Sequence, residues 1–367
     1  MPESHGPGPG GVSLPGPGPH GPEPATRVRL RRHEVLRGAS VQQHAAPAAW
    51  NRLQVTPAQV STLEIWRQRP GHQPASIYRL EFESGGPASV FAKRCDAASA
   101  QVERTCYEEL VPRLLLSSPT YFGSIEEPDG TCWLFLEDVG RDKFSAHDPV
   151  HRALASRWLG RLHRYGEGLE AARTLPEAGP PRYLQHLRDG RARITLNSGN
   201  PGLADAEREF LSETVALLDQ IESRWDAIER ACVGVPETLV HGDFCTKNVR
   251  IRHEPAGPVL YALDWELAGW GIPVADLAPA RGEDTTLQVD PGLYVHALGR
   301  SQSALKPAAI ERLSLIGYVL RRLAGIDWES LSLGFENPVC LLDPIASIRV
   351  HHRSLMRALT RAGAWLR

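Results

Sequence analysis

Residues 239–278 hold the densest group of side chains suited to chemistry. His241 and Asp243 follow an apolar pair, and Asn248 comes five residues after Asp243, at the start of a predicted hairpin. The second strand of that hairpin ends at Asp264, so one loop and one hairpin should present Asp243, Asn248 and Asp264 together. Carboxylate and amide oxygens are hard ligands that suit Mg²⁺. A further carboxylate can accept the proton of an attacking hydroxyl.

Cysteine and histidine chemistry receives no comparable support. The six cysteines form no C-x-x-C pair and are scattered through predicted core segments, and the 14 histidines include no H-E-x-x-H. This pattern predicts reduced thiols rather than disulfides or a zinc site. For Cys245, which lies inside the chemical stretch, a variable loop position is favoured over a reactive thiol.

The overall composition limits the class of protein. At 367 residues the chain is long enough for two lobes, and its 42% apolar and 23% charged content is that of a globular protein. A formal net charge of −2 gives no reason to expect a nucleic-acid partner. No apolar run is long enough to span a bilayer, and no signal peptide is evident. We therefore expect a cytoplasmic protein without a membrane partner.

The N-terminal part divides into two segments. Proline and glycine dominate residues 1–26, which cannot bury enough apolar surface to fold and are predicted to be disordered. Residues 27–59 are predicted to be a basic linker or a helical extension. For the basic run at 27–37, a solvated face is favoured over a partner-binding patch.

Residues 60–138 read as a β-rich lobe. Short segments rich in Ile, Val, Tyr and Phe are broken by Gly and Pro, which is typical of strands joined by turns. The predicted strands are 61–67, 76–83, 88–94, 120–125 and 132–137, with one helix at 98–116.

Residues 139–367 read as a mainly helical lobe, so the fold class is α+β. Apolar residues at three- and four-residue spacings predict a helix at 205–231. Alternation across Val249–Arg252 predicts a hairpin with strands at 248–253 and 259–264. The remaining predicted helices are 150–165, 287–300, 306–325 and 344–366.

The spacing H-x-D-x-x-x-x-N followed by a further Asp resembles the catalytic loop of protein kinases. The triplets 241–243 (His-Gly-Asp) and 264–266 (Asp-Trp-Glu) and the run 271–278 (GIPVADLA) are similar to the aminoglycoside phosphotransferase and choline kinase family. The resemblance implies a bilobal protein-kinase-like fold with a five-stranded antiparallel sheet and one helix in its N-terminal lobe. It also implies transfer of the ATP γ-phosphate, with Mg²⁺, to a hydroxyl of a small molecule.

The resemblance assigns a role to each residue of the motif. Asp243 is expected to be the catalytic base, and Asn248 and Asp264 are expected to be the magnesium ligands. His241 is expected to brace the catalytic loop. Asp276 is expected to support that loop through hydrogen bonds, and His163 is interpreted as a structural residue.

The N-terminal lobe carries the matching nucleotide residues. Val90-Phe91-Ala92-Lys93 resembles the strand whose lysine contacts the α- and β-phosphates. Glu103 is the expected ion-pair partner of Lys93, with Glu108 and Glu109 as competitors. Backbone groups from Glu137 to Val139 are expected to meet adenine.

The phosphate-covering loop departs from the kinase pattern. Residues 69–76 contain one glycine and two prolines, and the G-x-G-x-x-G pattern is missing. Phosphate contact is assigned to Ser76 or the 71–76 backbone, and the choice of ATP over GTP stays open.

The acceptor is not fixed by the sequence. Acidic residues in 264–290 suit a cationic acceptor and favour, slightly, an amino-sugar or antibiotic-like compound. A set of arginines suits an anionic one: Arg182, Arg188, Arg191 and Arg193. Two other functions stay open, a protein kinase and an inactive kinase-like nucleotide-binding module, and the oligomeric state is undetermined.

Overall fold

The computed structural model of the chain describes residues 34–54, 57–67, 76–84, 87–279, 286–299 and 305–363. The segment predicted to be disordered, 1–26, lies outside the described residues, and so do residues 69–75 of the predicted phosphate-covering loop. Ser76, the last residue of that loop, is described. No helix within the described ranges is long and apolar enough to cross a membrane.

The N-terminal half is built on one antiparallel sheet with the strand order β1-β2-β3-β4-β6-β5. Its strands are β1 Glu34–Arg37, β2 Gln59–Arg67, β3 Ser76–Ser84, β4 Ser89–Asp96, β5 Tyr121–Glu126 and β6 Thr131–Glu137. The predicted number of five strands was wrong, because β1 pairs with β2 and adds a sixth. This strand lies at the sheet edge, where charged side chains are well tolerated. The basic run that contains it was therefore interpreted as a solvated segment and not as a strand.

The segment that the sequence left as a linker or helical extension packs against this sheet. After β1, the short helices α1 Ala39–Gln42 and α2 Ala45–Leu53 cover one sheet face. Trp50 of α2 is buried and has ring contacts with Phe82, Phe122 and Phe135. The boundaries proposed for the two lobes stay a prediction.

The other face of the sheet carries the helix that follows β4. Helix α3, Ala97–Thr105, is capped by Asp96, whose carboxylate accepts from the backbone N–H of Ser99 at 2.9 Å. The predicted helix at 98–116 is not uniform, because a π-helical turn at Cys106–Leu110 and a 3₁₀ turn at Val111–Leu114 follow α3. Proline in the 3₁₀ turn cannot donate the next helical hydrogen bond.

The second half of the chain is mainly helical and has its own apolar core. Its helices are α4 Pro149–Gly166, α5 Pro180–Leu196, α6 Asp205–Glu222, α7 Trp225–Cys232, α8 Pro291–Leu298, α9 Pro307–Ser330 and α10 Pro338–Ala362. The single helix predicted at 205–231 is two helices, since Arg224 leaves the helical conformation between them. Apolar spacing alone could not reveal the break, because both helices bury the same stripe.

Two small β elements lie inside this helical half. Strand β7, Thr238–Val240, pairs with β10, Gly269–Gly271. The strands β8, Val249–Glu254, and β9, Gly257–Ala262, form a hairpin in the predicted region. Together they hold the two ends of the chemical stretch: Asn248 enters the hairpin, Asp264 leaves it, and the Leu263 N–H donates to the Asn248 carbonyl at 2.8 Å.

Candidate active site

Lys93 lies on the central strand β4 and contacts three carboxylates. Its Nζ is 2.7 Å from Glu103 Oε2, 2.7 Å from Asp264 Oδ1 and 2.9 Å from Glu266 Oε2. The ion pair with Glu103 implied by the sequence is therefore present, and the sequence did not predict the contact with Glu266. Burial alone would lower the pKa of Lys93, but these carboxylates raise it well above its ordinary value, so the lysine is charged.

Glu103 joins the sheet to the segment after the hairpin. Its side chain is fully buried; one carboxylate oxygen accepts from Lys93, and the other accepts from the backbone N–H of Trp265 at 3.2 Å. Burial raises its pKa to about 7, while the charge of Lys93 opposes the shift. The Glu103 carboxylate thus binds both Lys93 and the backbone of Trp265, the residue between Asp264 and Glu266. It thereby holds these two acidic residues close to Lys93.

The backbone at Asp264 is unusual for a residue with a side chain. Its φ is 71°, in the left-handed region that non-glycine residues seldom adopt. This conformation turns the chain sharply at the end of the hairpin. A strained backbone conformation persists only where contacts with the surrounding structure stabilise it. At Asp264 those surroundings include the Lys93 ammonium.

The loop containing Asp243 is held from below by Asp276. The backbone N–H groups of His241 and Gly242 each donate to one oxygen of this buried carboxylate, both at 2.8 Å. His163 Nε2 lies 3.1 Å from it, and the other ring nitrogen of His163 lies 2.7 Å from the Tyr294 hydroxyl. Burial would raise the pKa of Asp276, yet the hydrogen bond from His163 and the loop contacts lower it, so the support is ionised.

Gly242 is required by both conformation and space. Its φ is 81°, and a Cβ there would overlap the carbonyl oxygen of Leu267. The loop and the segment after Asp264 therefore touch backbone to backbone.

His241 packs against the same contact. Its ring is buried against Trp265, with 4.5 Å between ring centroids, and its Nδ1 is 3.4 Å from the backbone N–H of Asp243. Burial lowers its pKa, so the imidazole is neutral. This geometry fits a bracing role.

Asp243 is 3% exposed and is held on both oxygens. The Asn248 amide donates to Asp243 Oδ2 at 2.9 Å and to the Asp243 carbonyl at 3.0 Å. Lys247 Nζ lies 2.6 Å from Oδ2, and the Arg321 guanidinium binds Oδ1. The thiol of Cys245 lies 3.6 Å from Oδ1.

Arg321 is a site residue that the sequence analysis missed. It lies on helix α9, 78 positions along the chain from Asp243, and it also donates to the Phe244 carbonyl at 3.0 Å. Burial would lower its pKa, but the Asp243 carboxylate raises it well above the ordinary value. No local pattern in α9 distinguishes this arginine from its neighbour Arg322.

Lys247 was also missed, although it lies within the recognised motif. Its ammonium is 2.6 Å from Asp243 Oδ2 and 4.0 Å from Asp264 Oδ2, so it bridges the expected base and the expected metal ligand. Its position directly before Asn248 was the sequence feature that could have identified it as a site residue.

The two predicted metal ligands are compatible with Mg²⁺. The Asn248 amide nitrogen faces Asp243, which leaves its oxygen as the group available to a cation, and Asp264 offers Oδ2. Mg²⁺ is commonly bound by one or two protein oxygens together with phosphates and water. Among the described residues no group of three or more His, Cys, Asp or Glu side chains could hold a metal by itself. A site that shares the cation with phosphates is the kind these residues could form.

The predicted nucleotide contacts outside this centre are less fully described. Ser76 opens β3 and pairs with Arg94, next to Lys93 in the neighbouring strand. The backbone N–H and the carboxylate of Glu137 already have partners in the protein. The N–H donates to the Thr120 carbonyl, and the carboxylate accepts from Thr120 and Arg252. The Val139 side chain is buried. The phosphate and adenine contacts of these residues stay predictions.

The family follows from this site and from a sequence comparison. The model of the phosphotransferase enzyme family matches residues 65–309, a range that contains Lys93, Asp243, Asn248 and Asp264. The chain belongs to this phosphotransferase family, as the resemblance predicted. No curated protein matches the sequence.

Solved structures confirm the fold class. A microcompartment-associated aminopropanol kinase aligns with a TM-score of 0.57 and 15% identity, over 88% of this chain and 99% of that one. Choline kinase from Cryptosporidium parvum Iowa II aligns with a TM-score of 0.54 and 12% identity, over 83% and 93%. A spectinomycin phosphotransferase with ADP and spectinomycin bound aligns with a TM-score of 0.54 and 13% identity, over 82% and 93%. At these identities the likeness concerns the fold.

Proposed function

We propose that this protein transfers the γ-phosphate of ATP to a hydroxyl group of a small molecule, with Mg²⁺ bound at Asn248 and Asp264. The observation that supports this most strongly is the bridge formed by Lys247 between Asp243 and Asp264. It places a carboxylate that can serve as base beside a carboxylate that can serve as metal ligand. Membership of the phosphotransferase family and the small-molecule kinases among its structural neighbours support the same reaction.

Asp243 is suited to hold the acceptor hydroxyl. Asn248, Lys247 and Arg321 fix the direction of its carboxylate, and a fixed base lowers the entropic cost of reaching the reactive geometry. The Lys247 side chain is 36% exposed, compared with 11% for Arg321, so Lys247 is the partner that can yield to an incoming hydroxyl.

The reaction balances with these groups. The acceptor oxygen forms a bond to the γ-phosphorus, and the bond from that phosphorus to the β–γ bridging oxygen breaks. ADP departs with the electron pair, and the hydroxyl proton passes to Asp243. Lys93 and Lys247 stabilise negative charge on the phosphate oxygens. Bound Mg²⁺ would neutralise charge on the same oxygens.

The test is transfer from γ-labelled ATP to a deproteinised small-molecule extract in the presence of Mg²⁺. Asp243→Asn should lower turnover by about two to four orders of magnitude, because the base is lost. Calorimetry should show nucleotide binding close to that of the wild type. Asp219→Asn, which changes an exposed carboxylate paired with Arg191, is the matched control and should retain full turnover.

Each alternative function gives a different result. Nucleotide binding without transfer to any compound would support an inactive binding module. Labelling of peptides without labelling of the extract would support a protein kinase. Equal turnover of the wild type and Asp243→Asn would remove Asp243 from the mechanism.

A further inference from the structure

Two cations contact the Asp243 carboxylate, and one of them, Lys247, also lies within 4.0 Å of Asp264. Arg321 and Lys247 both contact its carboxylate, whereas the described residues place no other carboxylate within salt-bridge distance of the Arg321 guanidinium. An incoming acceptor therefore meets one carboxylate flanked by two cations.

Arg182, near the start of α5, adds a third cation. Its guanidinium donates to the Leu267 carbonyl at 2.7 Å and to the Pro176 carbonyl at 3.3 Å. The Leu267 carbonyl is the group that packs directly against Gly242, the residue before Asp243. Within the described part of the chain no carboxylate forms a salt bridge with the Arg182 guanidinium; the Glu177 carboxylate accepts from the Arg182 backbone N–H at 2.9 Å.

Arg182 and Arg321 both contact the backbone around Asp243. Arg321 donates to the Phe244 carbonyl at 3.0 Å, and Arg182 donates to the Leu267 carbonyl, which packs against Gly242. The two guanidinium groups therefore lie beside the catalytic loop, although they come from different helices.

The other basic residues of α5 do not contribute to this region. Each is neutralised by a carboxylate of a neighbouring helix: Arg188 by Glu222, Arg191 by Asp219 and Glu222, and Arg193 by Asp327. Of the four arginines whose charge suggested an anionic acceptor, Arg182 is the one that the fold leaves without a carboxylate partner among the described residues.

The acidic residues that suggested a cationic acceptor are already engaged. Asp264 and Glu266 contact Lys93, and Asp276 binds the loop backbone and His163. Asp290 caps helix α8 by accepting from Leu293 N–H at 2.9 Å. Glu283 and Asp284 lie outside the described residues.

We propose that the acceptor is an anionic hydroxyl compound whose carboxylate or phosphate is bound by Arg182, while its hydroxyl lies at Asp243. Arg321 positions Asp243 and adds positive charge behind it. Guanidinium groups suit both acids, because their planar donors match carboxylate and phosphate oxygens. A cationic acceptor would bring a like charge towards Arg182. This inference rests on the proposed phosphotransfer and names its substrate class.

The test does not require the acceptor to be known. A deproteinised metabolite extract is separated by ion exchange at neutral pH into anionic, neutral and cationic fractions, and each is incubated with the protein, Mg²⁺ and γ-labelled ATP. We expect label on a compound of the anionic fraction. Treating that fraction with alkaline phosphatase beforehand distinguishes the two acids, since a phosphate ester loses its acidic group and a carboxylate does not.

The alternative outcomes separate this inference from the function on which it rests. Label on a compound of the cationic or neutral fraction alone would overturn the anionic acceptor and leave the phosphotransferase intact. Bound nucleotide with no label in any fraction would overturn the phosphotransferase and the acceptor together.

Substitutions on α5 test the binding residue itself. With the labelled anionic compound as substrate, Arg182→Met should raise the acceptor KM by about tenfold, the effect of losing one charged hydrogen bond, with the KM for ATP unchanged. Arg182→Lys keeps the charge and should give a smaller rise. Arg188→Met is the matched control, because Arg188 lies on the same helix as Arg182 but is paired with Glu222 of α6. It should leave both KM values unchanged. An unchanged acceptor KM in Arg182→Met would overturn the assignment.

Discussion

Two neighbouring parts of the site have opposite charge arrangements. At Lys93 one buried cation is surrounded by three carboxylates, whereas at Asp243 one buried carboxylate is flanked by two cations. The first arrangement leaves negative charge that a divalent cation carrying phosphates can neutralise. Under the proposed function, the second would receive the acceptor, which arrives without a metal. The comparison therefore predicts that the two proposed substrates are distinguished by charge.

The two arrangements also differ in how firmly they are fixed. Lys93 and Glu103 have side chains that are 8% and 0% exposed, whereas Lys247 is 36% exposed. A buried ion pair that loses one partner leaves an uncompensated charge, while an exposed pair is screened by water. Substitutions at Lys93 should therefore affect both folding and activity, whereas substitutions at exposed pairs away from the site should affect neither strongly.

The largest expected effect is on the metal side of the comparison. Asp264→Asn should lower kcat by about a thousandfold, because the stabilisation that a bound metal gives to phosphoryl oxygens is worth several kcal/mol. The Mg²⁺ concentration needed for half-maximal rate should rise. Initial rates measured over a Mg²⁺ series check both. Asp129→Asn, which changes an exposed carboxylate of the N-terminal sheet, is the control. A wild-type rate at equal Mg²⁺ would exclude Asp264 as a ligand.

Removing the buried cation should cost stability as well as activity. Lys93→Met leaves Glu103 buried without its partner and should lower the free energy of unfolding by about 3–5 kcal/mol. Urea denaturation measures this loss. Adding Glu103→Gln in the same chain should restore most of the stability and none of the activity. Equal stability of Lys93→Met and the wild type would show that the pair does not stabilise the fold.

A smaller effect is expected where the two arrangements meet. Gly242→Ala combines a positive φ with overlap on the Leu267 carbonyl and should destabilise by about 2–4 kcal/mol. Gly234→Ala is a matched control, because Gly234 has a φ of 80° and open space around it. Its cost should be limited to the conformational strain, about 1–2 kcal/mol. Equal losses in thermal denaturation would mean that the backbone contact at Gly242 adds nothing.

The smallest effect is expected at the paired surface arginines. Arg188→Met removes a pair with Glu222 in which the arginine side chain is 52% exposed, and the free energy of unfolding should fall by less than about 1 kcal/mol. Chemical denaturation beside the wild type checks it. A loss near that of Lys93→Met would contradict the distinction between buried and exposed pairs.

Local spacing predicted the part of the site that lies close together in the chain. Asp243 and Asn248 are five residues apart, and the hairpin that joins Asn248 to Asp264 is short, so their proximity follows from one loop and one turn. Lys93 and Glu103 are ten residues apart, on a strand and the helix after it. The α+β class followed from the strand patterns in the first half of the chain and the helical patterns in the second.

Some errors in the fold came from local patterns that two structures share. An edge strand with charged residues resembles a linker, which is why β1 was missed. Helix α10 begins at Pro338, with Asn337 as its cap, and not at the predicted residue 344. Two prolines, Pro338 and Pro344, are each compatible with a helix start, so the sequence alone did not decide between them. The pairing of β1 with β2 decided the first case, and the Asn337 cap at the start of α10 decided the second.

The sequence by itself determined the motif that contains Asp243, Asn248 and Asp264, the pairing of Lys93 with Glu103, and thereby the family. Only the tertiary structure decided which of the 41 basic residues surround Asp243. Arg321 and Arg182 reach the catalytic loop from α9 and α5, and their neighbours on the same helices pair elsewhere. The reason is physical: the direction of an arginine on a helix depends on how that helix packs, and packing is set by contacts far apart in the chain.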